Sequence, residues 1–231
     1  MLLSAGLFGC AQQPVQETEE TIVLNGHNIK IVKQGEELYK IGNITVDKAA
    51  RSFAVTGKLL RNEPPIEFLA VAKDGRRGYE SLLEFDANVY EFNLACILLG
   101  LDAGKGEPPK NHFDPKPVQG DAVEISLSWV SNGKDQQHSA SEFFVSDNQK
   151  LLEGDWVYTG STFAPNGQYL PEVGGGTLVG FVHDPASIIE HGHGFGQKSY
   201  HGLELNQAVL PPLNTPIKAT FSYVGNSQKP Q

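Results

Sequence analysis

Ile44-Thr-Val-Asp-Lys-Ala-Ala-Arg-Ser-Phe-Ala-Val-Thr-Gly-Lys-Leu, then Ile66-Glu-Phe-Leu-Ala-Val-Ala, Tyr79-Glu-Ser-Leu-Leu and an apolar run to Leu101 decide the fold of this chain. Two runs, Ile44-Thr-Val and Phe53-Ala-Val-Thr, are β-branched or aromatic and flank the polar turn Asp47–Ser52, so they predict a hairpin. Ile66–Ala72 is continuous apolar except for Glu67, as a strand covered on both faces requires. From Asp86 the period changes. Val89, Phe92, Cys96 and Leu99 recur at three and four, and Leu94, Leu98 and Leu101 widen the stripe, which predicts one principal, largely buried helix over residues 86–100. Asp86 is its expected N-cap, and Gly100 or Gly104 its left-handed stop.

Outward from this stretch the chain reads as mainly β. Thr21-Ile-Val-Leu, Ile29-Lys-Ile-Val and Leu38-Tyr-Lys-Ile form a predicted antiparallel meander, with turns at Gly26 and Gly35. Residues 103–120, rich in Gly and Pro, form a long loop. Val123, Ile125, Leu127 and Trp129 alternate with polar residues in the clearest half-buried strand, which Asn132-Gly133 turns toward an expected partner at 139–145. Trp156–Ser161, Thr177–Val182 and Pro216–Tyr223 are further strands, and a short helix is expected over 186–190. With 25 Gly and 14 Pro in 231 residues, the expected fold is mainly β (α+β), a sandwich-like pair of antiparallel sheets with one principal buried helix.

Val46-Asp47-Lys48, Thr56-Gly57-Lys58, Glu67-Phe-Leu-Ala-Val, Tyr79-Glu-Ser-Leu-Leu and Ala95-Cys-Ile-Leu-Leu-Gly-Leu together resemble the YdjY domain family. The resemblance continues through Gly154-Asp-Trp-Val-Tyr-Thr-Gly-Ser, Gly176-Thr-Leu-Val-Gly-Phe with Asp184-Pro185, and Leu210-Pro-Pro-Leu-Asn-Thr-Pro-Ile, so it spans residues 44 to 223. Tyr79 departs from the pattern, which leads with His before this Glu-Ser-Leu-Leu step. The resemblance implies a domain found in bacterial envelope or secreted proteins, with no reaction attached.

The N-terminus predicts where the protein works. Leu7-Phe-Gly-Cys10 looks like a lipobox, so residues 1–10 read as a lipoprotein leader and Cys10 as the lipidated residue. No Lys or Arg precedes Cys10, and a start upstream of Met1 accounts for that and for the leader's shortness. Residues 11–20 are polar and acidic and read as a flexible tether, residues 21–226 as one globular domain, and 227–231 as a disordered tail. Ala11 after the cysteine resembles the pattern sent to an outer membrane. The expected location is extracytoplasmic and membrane-anchored, on the periplasmic side of the outer membrane or at the cell surface. A net charge of −9 repels phosphate backbones, so nucleic acid is excluded as a partner. The expected partners are the membrane, through the anchor, and an envelope protein or small-molecule ligand.

Two candidate chemistries stand out. His183, Asp184, His191, His193 and His201 are ligand types suited to zinc, copper or nickel, with Gly192 and Gly194 letting the backbone bend round an ion. The competing reading is a solvated glycine loop, and no cofactor is required by the sequence. Tyr79, Glu80 and Ser81 form a polar step that a hydrolase could use, although no Gly-x-Ser-x-Gly elbow surrounds Ser81 or Ser161. No catalytic residue is assigned. Cys96, on the apolar helix face, reads as an inert thiol. The reading that combines these features is a non-catalytic binding domain of an envelope lipoprotein, with metal binding and hydrolysis as alternatives.

Overall fold

The computed structural model describes residues 17–146, 154–160, 162–193 and 203–225. Strands β1 (Thr18–Leu24) and β2 (His27–Lys33) pair across Asn25-Gly26, both at positive φ (50° and 85°). That conformation gives a two-residue turn the twist its strands need. β3 (Leu38–Ile41), β4 (Ile44–Asp47) and β5 (Ser52–Leu59) continue the antiparallel meander. Then come β6 (Phe68–Ala72), β7 (Ser81–Phe85) and helix α1 (Val89–Leu98). After the long loop follow β8 (Asp121–Ser131), β9 (Lys134–Ser139), β10 (Phe144–Ser146) and β11 (Trp156–Tyr158). The short helix α2 (Leu170–Val173), β12 (Thr177–Gly180), β13 (Ile189–His191), β14 (Leu203–Leu205) and β15 (Pro216–Gly225) complete the order.

The mainly β expectation holds, but the sandwich does not. The sheet runs β5-β15-β8-β11-β13-β12-β6-β7, and β7 pairs back onto β5, so eight strands close into a barrel. One edge of β5 serves two partners: Ser52–Ala54 pair with β4, and Gly57–Leu59 pair with β7. Gly57 makes the exchange possible, because a Cβ there would collide with the Glu84 carbonyl. Two neighbouring pairs, β6/β7 and β12/β13, are parallel rather than antiparallel.

The barrel is filled by side chains. Phe53 stacks on Phe221 with ring centroids 4.6 Å apart, and Phe92 of α1 meets both edge-on at 5.4 and 5.2 Å. Phe85 closes the cluster, 6.0 Å from Phe221. Helix α1 thus seats Phe92, Ala95 and Cys96 in the core, with Leu99 buried at its C-cap. It is shorter than expected, and its N-cap is Asn88 rather than Asp86. The Asn88 side chain accepts from the amides of Tyr90 and Glu91, and Glu91 reaches back to the Asn88 amide, a capping box. Asp86 instead holds Lys73 and Asn43, at 2.6 and 2.8 Å. Gly100 (φ 93°) ends the helix in the left-handed conformation.

Other boundaries also moved. The first strand begins at Thr18, inside the stretch assigned to the tether, because Thr18–Glu20 pair with Ile31–Lys33. The partner of β8 across Asn132-Gly133 is Lys134–Ser139, a polar run with no apolar alternation, and Ala140–Phe143 forms a 3₁₀ turn. No helix forms over 186–190. That stretch turns into β13, whose three residues are all buried. Cys96 is a free, buried thiol, and burial pushes its pKa up, so it stays protonated and unreactive. Among the described residues no helix is long and apolar enough to cross a membrane.

Two substitutions test this architecture by chemical denaturation. Phe92→Ala, at a fully buried site, should cost about 3–5 kcal/mol. Gly57→Ala should cost about 1–3 kcal/mol by forcing the β5–β7 seam apart. Two near-neutral results would mean that neither the aromatic cluster nor the seam supports the fold.

Candidate functional site

Two short crossovers lie side by side at one end of the barrel. Residues 73–80 join the parallel strands β6 and β7, and residues 181–188 join β12 and β13. Parallel neighbours usually need a connection of about a dozen or more residues. These tight ones bring the polar residues singled out in the sequence onto neighbouring loops.

Arg77 of the first crossover holds the two together. Its Nε donates to the Gly174 carbonyl (2.9 Å), one Nη reaches Glu80 (3.2 Å) and the other Asp184 (3.1 Å), and the guanidinium lies 5.0 Å over the Phe68 ring. Glu80 is almost wholly buried, and its pKa is raised, first by burial and then by the charge of Glu67. Glu67 bonds His112 of the long loop at 2.9 Å, and that bond raises the His112 pKa. Tyr79 is exposed, and the neighbouring Glu80 charge raises its pKa. Ser81 is fully buried and donates its hydroxyl to the Arg77 carbonyl at 2.9 Å. Glu80 and a histidine do come together here, but the serine points inward and is occupied. The cluster can hold protons and fasten loops, and it presents no nucleophile to a base. Ser161 lies outside the described residues.

The second crossover and the strand that follows it carry the histidines. His183 is buried, and its Nε2 donates to the His191 carbonyl at 2.7 Å. Asp184 accepts from the Ala186 amide (2.8 Å) and from Arg77, so both its oxygens are engaged. His191, in β13, is buried against Trp156, and burial lowers its pKa to about 3, so the ring is neutral. The His193 ring is 5.9 Å from it. Among the described residues no three His, Cys, Asp or Glu side chains are placed to hold a metal ion. His201, and the Cys10 proposed for lipidation, lie outside the described residues. Glu190 is fully buried. Its Oε1 accepts from the Asp184 amide (3.0 Å), and burial drives its pKa well up.

Sequence reasoning missed a third feature. The outward face of α1 carries Asn93, Leu94 and Ile97, and with Leu24 and Asn25 of the β1–β2 turn and Phe163 and Tyr169 it walls a groove of about 220 Å³. Tyr90 stacks on Tyr169 at 4.7 Å in its floor. The wide apolar stripe over Leu94, Ile97 and Leu98 was the available signal, since a helix apolar on every side has one face left over once the core is filled. A larger hollow of about 880 Å³ lies on β8, β9 and β15, where Trp129, Val130, Pro216 and Ile217 are interspersed with Ser128, Asp135, Gln137 and Lys218.

A family model described as the YdjY domain matches residues 44–222, and the chain belongs to that family. No curated protein and no solved structure matches it.

Glu190 supplies a test of the buried network. A carboxyl whose folded pKa is raised contributes stability below its unfolded pKa, near 4.5, and that contribution is lost as pH rises toward the folded value. Glu190→Gln keeps an oxygen for the Asp184 amide and carries no charge. The variant should therefore melt higher than wild type at pH 8, by roughly 2–4 °C for each kcal/mol relieved, with the gap closing near pH 4. A variant that melts lower at pH 8 would mean that Glu190 is ionised in the fold.

Proposed function

We propose that this YdjY-family chain is the non-catalytic binding module of a bacterial cell-envelope lipoprotein. Acylated Cys10 holds it at the membrane, and the groove along α1 receives an envelope partner. One observation carries the binding role: the outward face of α1 is apolar and open. Ile97 is 50% exposed and Phe163, across the groove, 58%. The charged residue of the helix, Glu91, is occupied in the capping box. Apolar patches left in contact with water mark interaction sites. The residues that an enzyme reading would use are already engaged, Glu80 with Arg77 and Ser81 with the Arg77 carbonyl.

Anchor and domain are compatible in reach. Eight residues from Cys10 to Thr18 span at most about 27 Å when extended. Each acyl CH₂ buried in a bilayer contributes about 0.8 kcal/mol, so two or three chains hold the protein firmly. Replacing Cys10 with Ala and fractionating cells is the test of location. The wild type should sediment with membranes and the variant should be released. Membrane association unchanged by the substitution would sink the anchor.

A narrower second reading is a divalent-metal site at His191 and His193. Burial keeps His191 in the neutral form that metals require, with the His193 ring alongside. Calorimetry with zinc, copper and nickel on wild type and on a His191→Ala/His193→Ala variant decides it. Binding heat that disappears in the variant supports the site, and equal heats remove it.

A further inference from the structure

The groove along α1 has a defined polarity. Tyr158 is buried, which raises its pKa, so its hydroxyl stays protonated and donates to Asn93 Oδ1 at 2.8 Å. That bond sets the Asn93 amide with Oδ1 inward and leaves Nδ2 as a donor at the groove. Tyr90 of α1 gives its proton to Glu172 (2.8 Å) and accepts from Nδ2 of Asn25 on the facing turn (2.9 Å). Asn25 Oδ1 is therefore left as an acceptor. The Glu172 carboxylate can only accept, which makes Tyr90 the donor there and fixes the Asn25 amide, and Asn93 presents its Oδ1 to the Tyr158 hydroxyl.

Among the described residues, none that lines the groove carries a charge, on a protein whose net charge is −9. A carboxylate, phosphate or ammonium group would lose its water there without a counter-charge. The volume, about 220 Å³, is also below the roughly 300–1,000 Å³ that encloses a whole small-molecule ligand. It has room for one large apolar side chain, with neutral polar groups of both hydrogen-bonding types on the walls.

We infer that the groove takes an uncharged peptide segment. A leucine-sized side chain seats against Leu94, Ile97 and Phe163, and the flanking backbone accepts from Asn93 Nδ2 and donates to Asn25 Oδ1. This rests on the reading of the α1 groove as the binding surface and adds the chemical class of the partner. The two hydrogen bonds distinguish a peptide from any other apolar molecule of the same width.

Titration of the full chain, followed by amide chemical shifts, tests it with three probes: acetyl-Gly-Leu-Gly-amide, acetyl-Gly-Ser-Gly-amide and 4-methyl-1-pentanol. The leucine peptide should shift Asn25, Asn93 and Ile97, and each of the other two should bind about tenfold more weakly, the alcohol for want of the amide hydrogen bonds. Asn93→Leu should abolish the preference of peptide over alcohol while keeping the alcohol bound. Asn25→Ala, at an exposed turn, should reduce the same preference without touching the Tyr158 contact. Equal binding of peptide and alcohol would overturn the peptide assignment and leave the groove as an apolar site. No shift with any probe would remove the groove as a binding surface altogether.

Discussion

The pairing of β7 with the second half of β5 is the constraint on which the rest of the structure depends. Without it the sheet is an open, twisted ribbon with two long edges. With it, eight strands close and the barrel has an interior to fill. The pairing requires β4 to leave β5 after Ala54 and β7 to arrive at Gly57, within one strand of eight residues. Only a residue without a side chain allows the two backbones that close. The interior then takes one aromatic ring from each of β5, β7 and β15, and α1 supplies the fourth.

Closure also explains the polar clusters. Bringing β6 and β12 together antiparallel in the wall leaves each with a parallel neighbour, reached through a short crossover. Short crossovers have few backbone partners of their own, and buried polar groups must find hydrogen bonds somewhere. Arg77 answers that need with four contacts, two of them to carboxylates on different loops. Tyr79-Glu80-Ser81 and His183-Asp184 were noticed in the sequence because they are polar amid apolar strands. They have that character because they fasten the crossovers.

The groove on α1 has the opposite history. Only its helical wall leaves a mark in the sequence, as a wide apolar stripe, and its other residues come from positions as far apart as Asn25 and Tyr169. Its polarity depends on two tyrosine hydrogen bonds that link Asn93 to Tyr158 and Asn25 to Tyr90, both across 65 positions of chain. No local period reports such contacts.

The sequence by itself determined the elements whose signal is local. The hairpin Ile44–Leu59, the doubly covered strand Phe68–Ala72, the alternation of β8, the turn at Asn132-Gly133 and the end of α1 at Gly100 all follow from side-chain period and backbone preference within a few residues. The tertiary structure alone decided closure into a barrel, the parallel pairs, the polar strand β9 and the short strand β13. In each of these cases the stabilising partner lies far along the chain. Lys134–Ser139 extends because β8 offers it a ladder, and Ile189–His191 is buried because β11 and β12 enclose it. The same distinction separates the two kinds of candidate site. Histidines and carboxylates can be counted in a sequence, but whether they face a ligand or one another depends on contacts that form only when the sheet closes.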